Sequence, residues 1–158
     1  MSEAETLLAA VIVAPAGQVA EILSVCRPED VRLLDAPAAT ALDVAAELAV
    51  AGIAPGATVL NAELLRRGLY AGHVGELVKV KLLDAVTTMA HAELLPEYAA
   101  SVLARVFRAR LAAAGEALAA GADTAPESEL WQLLTREGAE LRQIRERLTA
   151  VRGERPHV

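Results

Sequence analysis

One cysteine in 158 residues excludes an internal disulfide and fits a reducing, cytoplasmic compartment. With no base or second ligand beside it, Cys26 reads as a small buried hydrophobe. A zinc site would need more ligands than Cys26 and the scattered His73, His91 and His157, so neither a metal nor a cofactor is expected. Lysine occurs only at Lys79 and Lys81, and neither ends a G-x-x-x-x-G-K-[ST] loop, which excludes a P-loop nucleotide site. The dinucleotide pattern G-x-G-x-x-G is missing too: "GLYAGHVGEL", with Gly68, Gly72 and Gly75, has the wrong spacing and reads as a loop between helices. Long apolar runs are also wanting. Leu7 to Gln18 is uncharged but falls short of the roughly 20 residues of a membrane span, and Pro15 and Gly17 interrupt it. No Lys or Arg precedes Arg27, so the basic start of a secretory signal is lacking as well.

Aromatics make up only 3% of a chain that is 54% hydrophobic, so its core must be built from Ala, Leu and Val. Small-residue helix packing is the architecture that allows this, and the expected fold is all-α. The net charge is −6, and it is unevenly spread: the residues before Glu97 carry six basic and twelve acidic groups, those from Glu97 onward nine and nine. An acidic first part does not suit a phosphate backbone, so protein partners are expected rather than nucleic acid.

Glycine and proline punctuation divides the chain into helices near 3–13, 16–24, 36–51, 59–67, 74–85, 97–120 and 127–151. Glu3 and Glu5 favour the positive end of the first helix. Asp35 and Pro37 open a helix that closes at Gly52, and Thr58 is placed to cap the next one, which ends in Arg66 and Arg67. Domain organisation follows: a globular body over 1–96, a helical hairpin over 97–152 and a disordered tail over 153–158. On the first hairpin helix, Val102 or Leu103, Val106 or Phe107, Leu111, Ala114 and Leu118 share one face. On the second, Leu134, Leu141 and Leu148 form one heptad line and Leu130, Ile144 and Val151 another, which Glu137 interrupts.

That spacing describes a packed hairpin with a seam left for another chain. The candidate oligomer-interface residues are Phe107, Leu111, Leu130, Trp131, Leu134, Leu141, Ile144 and Leu148. Trp131 reads first as a core plug at the hairpin base and second as an interface anchor. Arg105, Arg108, Arg110, Arg142, Arg145 and Arg147 are interleaved with Glu140 and Glu146, which favours a solvated face. The second reading makes Arg105, Arg108, Arg142 and Arg145 a partner-docking surface. His73 near Glu76 and His91 near Glu93 could be drawn as acid–base pairs, but no nucleophile or orienting group accompanies them and no catalytic residue is assigned.

In order, "EAETLLAAVIVAPAGQVAEILSVCRPEDV", "AELLRRGLYAGHVGEL" and "EYAASVLARVFRARL" resemble the N-terminal domain of DnaB-type replicative helicases, from about Glu3 to Leu148. The points of likeness are the acidic opener before an aliphatic helix broken at Pro15, the "PED" of Pro28 to Asp30, "LLRRGL" followed by Val74 and Gly75, and the hairpin start at Tyr98. The resemblance implies a helical cluster followed by a hairpin, without catalytic residues. In that family the hairpins pair into dimers that build the collar of a ring, and the collar receives primase. It therefore implies a homodimer or higher homo-oligomer that engages replicative helicase, primase or helicase loader. Three departures stand out. Val31, Leu33 and Leu42 fill positions where the family places aromatics. The turn before Tyr98, "TTMAHAELLPEY", is longer than the family's, which puts the hairpin angle and primase contacts in question. The chain ends at Val158, where the family continues to its ATPase motor, so it is expected to be a stand-alone relative or a piece of a longer helicase. A helical adaptor with a partner unrelated to replication is the alternative.

Overall fold

A reciprocal cap opens the first helix. The Glu5 backbone N–H donates to the Ser2 hydroxyl at 3.2 Å, and the Ser2 N–H donates to the Glu5 carboxylate at 3.0 Å. In the computed structural model, which describes residues 1–153, the helices are α1 (Glu3–Val11), α2 (Ala16–Val25), α3 (Pro28–Arg32), α4 (Ala36–Val50), α5 (Ala57–Arg66), α6 (Gly72–Thr87), α7 (Leu95–Gly121) and α8 (Glu127–Arg152). A short 3-10 turn, Ala92–Leu94, leads into α7. The described residues contain no strand, as the composition requires of an all-α chain.

The uncharged opening stretch is the centre of the molecule. All residues from Leu7 to Val11 are buried, and α1 is walled by α4, α6 and α7. A helical segment that is apolar on every side belongs inside a protein, and Leu7 to Val11, the part of α1 beyond its acidic first turn, is such a segment. Val19, Ile22 and Leu23 of α2 fold back onto the same core, as does the buried Cys26. Leu42, Ala45 and Ala49 add the inner side of α4; Leu60 and Leu64 add that of α5.

Several boundaries differ from the sequence reading, each for a local reason. α1 stops at Val11 instead of 13 because Ala14 precedes Pro15 and is barred from helical backbone. α5 begins at Ala57 on Gly56, so Thr58 lies inside the helix and is not its cap. α3 was not anticipated: Pro28 stands in its first turn and Asp30 accepts from the Arg27 N–H at 3.1 Å. The supposed loop around Gly72 and Gly75 is the beginning of α6. Gly68 and Gly72 have φ of +72° and +70°, turning the chain back, and a Cβ on Gly75 would lie 2.1 Å from the Tyr70 carbonyl carbon. Only glycine fits there.

The hairpin is not a separate unit. Val102, Leu103 and Val106 of α7 and Ile144 of α8 belong to the core that surrounds α1, so a division at residue 96 cuts through continuous packing. Ion pairs reinforce the joint. Asp30, only 5% exposed, holds the guanidinium of Arg147 with both carboxylate oxygens, while Arg147 also donates to the Val25 carbonyl at 3.0 Å. On the other side of the body, Lys81 of α6 reaches Glu5 of α1 and, at 2.9 Å, Asp35 at the start of α4. The tail assigned to 153–158 lies outside the described residues from 154 onward.

Candidate functional site

The outer part of the hairpin, beyond Phe107 of α7 and before Ile144 of α8, projects from the core, and its sequence decides what it shows to the outside. α7 and α8 run antiparallel, with Gly121 close to Leu130 near the turn, where a Cβ on the glycine would sit 3.3 Å from the leucine side chain. The intrachain seam uses Leu103, Arg110, Ala114 and Gly121 of α7 against Leu130, Leu133, Glu137, Ile144 and Val151 of α8, all buried or half-buried. Residues advance by about 100° around a helix axis, and in an antiparallel pair the same rotation from each seam leads to the same side of the hairpin. On that side stand Phe107, Leu111, Gly115 and Leu118 from α7, and Trp131, Leu134, Gly138, Leu141 and Arg145 from α8.

Of the eight expected interface residues, three present open apolar surface: Leu111 is 51% exposed, Trp131 70% and Leu134 48%. Phe107, Leu130, Leu141 and Leu148 are half-buried along the edge of the seam, and Phe107 and Leu148 pack against the core. Ile144 is a correction. At 2% exposure it has no free surface and serves its own chain's core, so it cannot line an interface. Trp131 corrects the reading that ranked it first as a core plug: it lies near the turn, far from the body, with its indole turned outward. The heptad pattern supports two lines of contact and does not say which of them the partner helix takes.

Two glycines on the same side have no role within the protomer. Gly115 and Gly138 lie inside helices, and a Cβ on either would meet nothing within 4 Å. Glycine inside a helix costs about 1 kcal/mol relative to alanine, so two unfilled positions beside an exposed tryptophan call for a compensating contact.

The four arginines expected to dock a partner divide. Arg108, Arg142 and Arg145 are exposed and have no ion pair among the described residues, whereas Arg105 is turned to α1, its Nε 3.6 Å from Glu3. Arg66 and Arg67 are occupied with Glu63, at 2.6 and 2.8 Å, and Arg67 also reaches Glu47 of α4 at 2.5 Å. Those arginines hold the Glu63 carboxyl down at about 2.

The remaining titratable groups are scattered. His91 Nδ1 lies 3.8 Å from the Glu93 carboxylate, with both side chains exposed, and His73 is exposed at the start of α6. Burial pushes the Cys26 thiol up to about 12, which keeps it protonated. Among the described residues no three His, Cys, Asp or Glu side chains gather where they could hold a metal ion, and no helix is long and apolar enough to cross a membrane. No family model, characterised protein or solved structure matches the chain. The likeness to helicase collars therefore rests on the residues quoted for it.

Proposed function

We propose that the chain is a non-enzymatic oligomerisation and protein-docking module, similar to the collar of a replicative DNA helicase. It pairs through the outer face of the hairpin into at least a homodimer. In the cytoplasm this assembly engages a replicative helicase, its primase or its loader. The observation that carries the reading is the hairpin face, where Leu111, Trp131 and Leu134 are open and Gly115 and Gly138 leave room for a second helix to approach closely. Exposed apolar patches rimmed by polar residues mark interaction sites, and Arg108, Arg142 and Arg145 form such a rim. A stable dimer needs about 1,600 Å² of buried surface in total, which the projecting part of two hairpins can supply.

Light scattering at tens of micromolar tests the pairing. A dimer is expected, and Trp131→Glu with Leu134→Glu is expected to give a monomer with the far-UV circular dichroism of the wild type. A wild-type protein that is monomeric throughout overturns the reading. Engagement of the replication machinery is tested with purified helicase, primase and loader from the same host. The second reading, an adaptor with an unrelated partner, is favoured by the exposed insertion around Met89 that sets α7 on a 3-10 turn. It predicts a dimer that binds none of the three.

A further inference from the structure

At the root of the hairpin, about 30 Å along α8 from Trp131, three parts of the chain enclose a groove of about 470 Å³. Ile22 and Val25 of α2 form one wall, Leu95 and Pro96 at the start of α7 the floor, and Ala150 and Val151 at the end of α8 the other wall. Gln18, Glu21 and Glu93 are its polar lining, so both charged groups are carboxylates. Among the described residues, the one cation placed on either of them is His91, 3.8 Å from Glu93 and ionised only when protonated. Arg147, the nearest arginine on α8 to the wall at Val25, is spent on Asp30 and the Val25 carbonyl.

That same arginine fixes the groove's shape. By joining α8 to the end of α2 and to α3, it holds both walls at a set separation, and a preformed site spares a ligand the ordering cost of binding. The groove is open along one side, unlike the cavities that bury most of a small molecule. An open channel with aliphatic walls suits a polypeptide whose side chains enter it in turn.

We propose that this groove docks a peptide segment of another protein that presents an arginine or lysine beside aliphatic side chains, the aliphatic groups filling the space between Ile22, Leu95 and Val151 and the cation meeting Glu21 and Glu93. The site is independent of hairpin pairing, because it lies at the other end of α8 from the exposed tryptophan.

The test uses the full chain and a short fluorescein-labelled peptide of leucine and arginine, with leucine–glutamate and serine–arginine peptides as controls. Fluorescence anisotropy should show saturable binding of the leucine–arginine peptide alone. Glu21→Gln with Glu93→Gln should weaken it about tenfold or more, since a charge-assisted hydrogen bond is lost at each position. Both carboxylates are exposed, so the variant should keep its thermal midpoint. Amide shift changes should cluster on Gln18–Val25, Ala92–Pro96 and Ala150–Val151. Lack of saturation at millimolar protein, equal binding by the double variant, equal binding of the serine–arginine peptide, or shift changes spread over the acidic body each overturn the proposal.

Discussion

Arg147→Met tests how the hairpin is held to the body. The substitution keeps the aliphatic stem and removes the guanidinium, leaving Asp30 buried at 5% exposure with only the half-exposed Arg27 beside it, at 3.5 Å. Breaking a buried ion pair from one side costs about 3–5 kcal/mol, and the lower end applies because the Arg147 side chain is 19% exposed. For a chain of this size about 3 kcal/mol corresponds to a fall of roughly 6–12 °C in the thermal midpoint. The pH dependence is more diagnostic. Burial by itself raises the Asp30 carboxyl, but the hydrogen bonds and charge of Arg147, aided by Arg27, outweigh it and hold the group below its ordinary value. A lowered carboxyl contributes stability above its unfolded pKa of about 3.9 and loses it as the pH falls through the folded value. In Arg147→Met burial dominates, the folded pKa rises, and the sign inverts: the variant gains stability as the pH falls through the raised value. The difference between the two proteins should therefore narrow from neutral pH to about pH 4, as followed by urea unfolding with far-UV circular dichroism. A difference below about 1 kcal/mol, or one that is flat or widens on acidification, would refute the account of Arg147 as the tie between α8 and α3.

Gly75→Ala should cost about 1–3 kcal/mol or prevent folding, because its methyl would overlap the Tyr70 backbone; an unchanged denaturation midpoint would contradict that close approach. Gly115→Ala and Gly138→Ala should each raise the stability of the isolated protomer by up to about 1 kcal/mol while weakening self-association. Strengthened association in light scattering would show that neither glycine receives another helix. Cys26, buried with its thiol pushed up to about 12, should react with a disulfide reagent only at the rate of unfolding, and rapid modification of the native protein would count against its burial.

What could be read from the sequence follows the range of the forces involved. The all-α class and the hairpin depend on periodicity and local caps, and so does the expectation that Leu7, Leu8, Val11, Ile12, Val19, Ile22 and Leu23 face inward: all are buried except Ile12, which is partly buried against the core. α3 escaped because its five residues are too short for a period to show, although Pro28 and Asp30 carry its capping chemistry. The start of α6 escaped because its glycines look like loop residues until Tyr70 is seen packed against Gly75. The exposure of Trp131 and burial of Ile144 depend on which heptad line meets α7, a choice that the pattern on α8 alone leaves open. The pairing of Asp30 with Arg147 spans 117 residues, and the groove gathers three distant segments, so no local signal marks either one.

The central position of α1 governs the order in which the protein can be made. Its walls come from α4, α6 and α7, so α1 waits for residues up to about Val106 to be made before its apolar surface is covered. Contacts so distant in sequence slow folding and leave unfinished chains open to aggregation. Until then, Leu7 to Val11, buried in the finished fold, form an uncovered apolar segment of an incomplete polypeptide. Synthesis stalled before α7 should yield chains that are degraded or aggregate, whereas chains that include α7 and α8 through Arg147 carry every element that closes the body around α1.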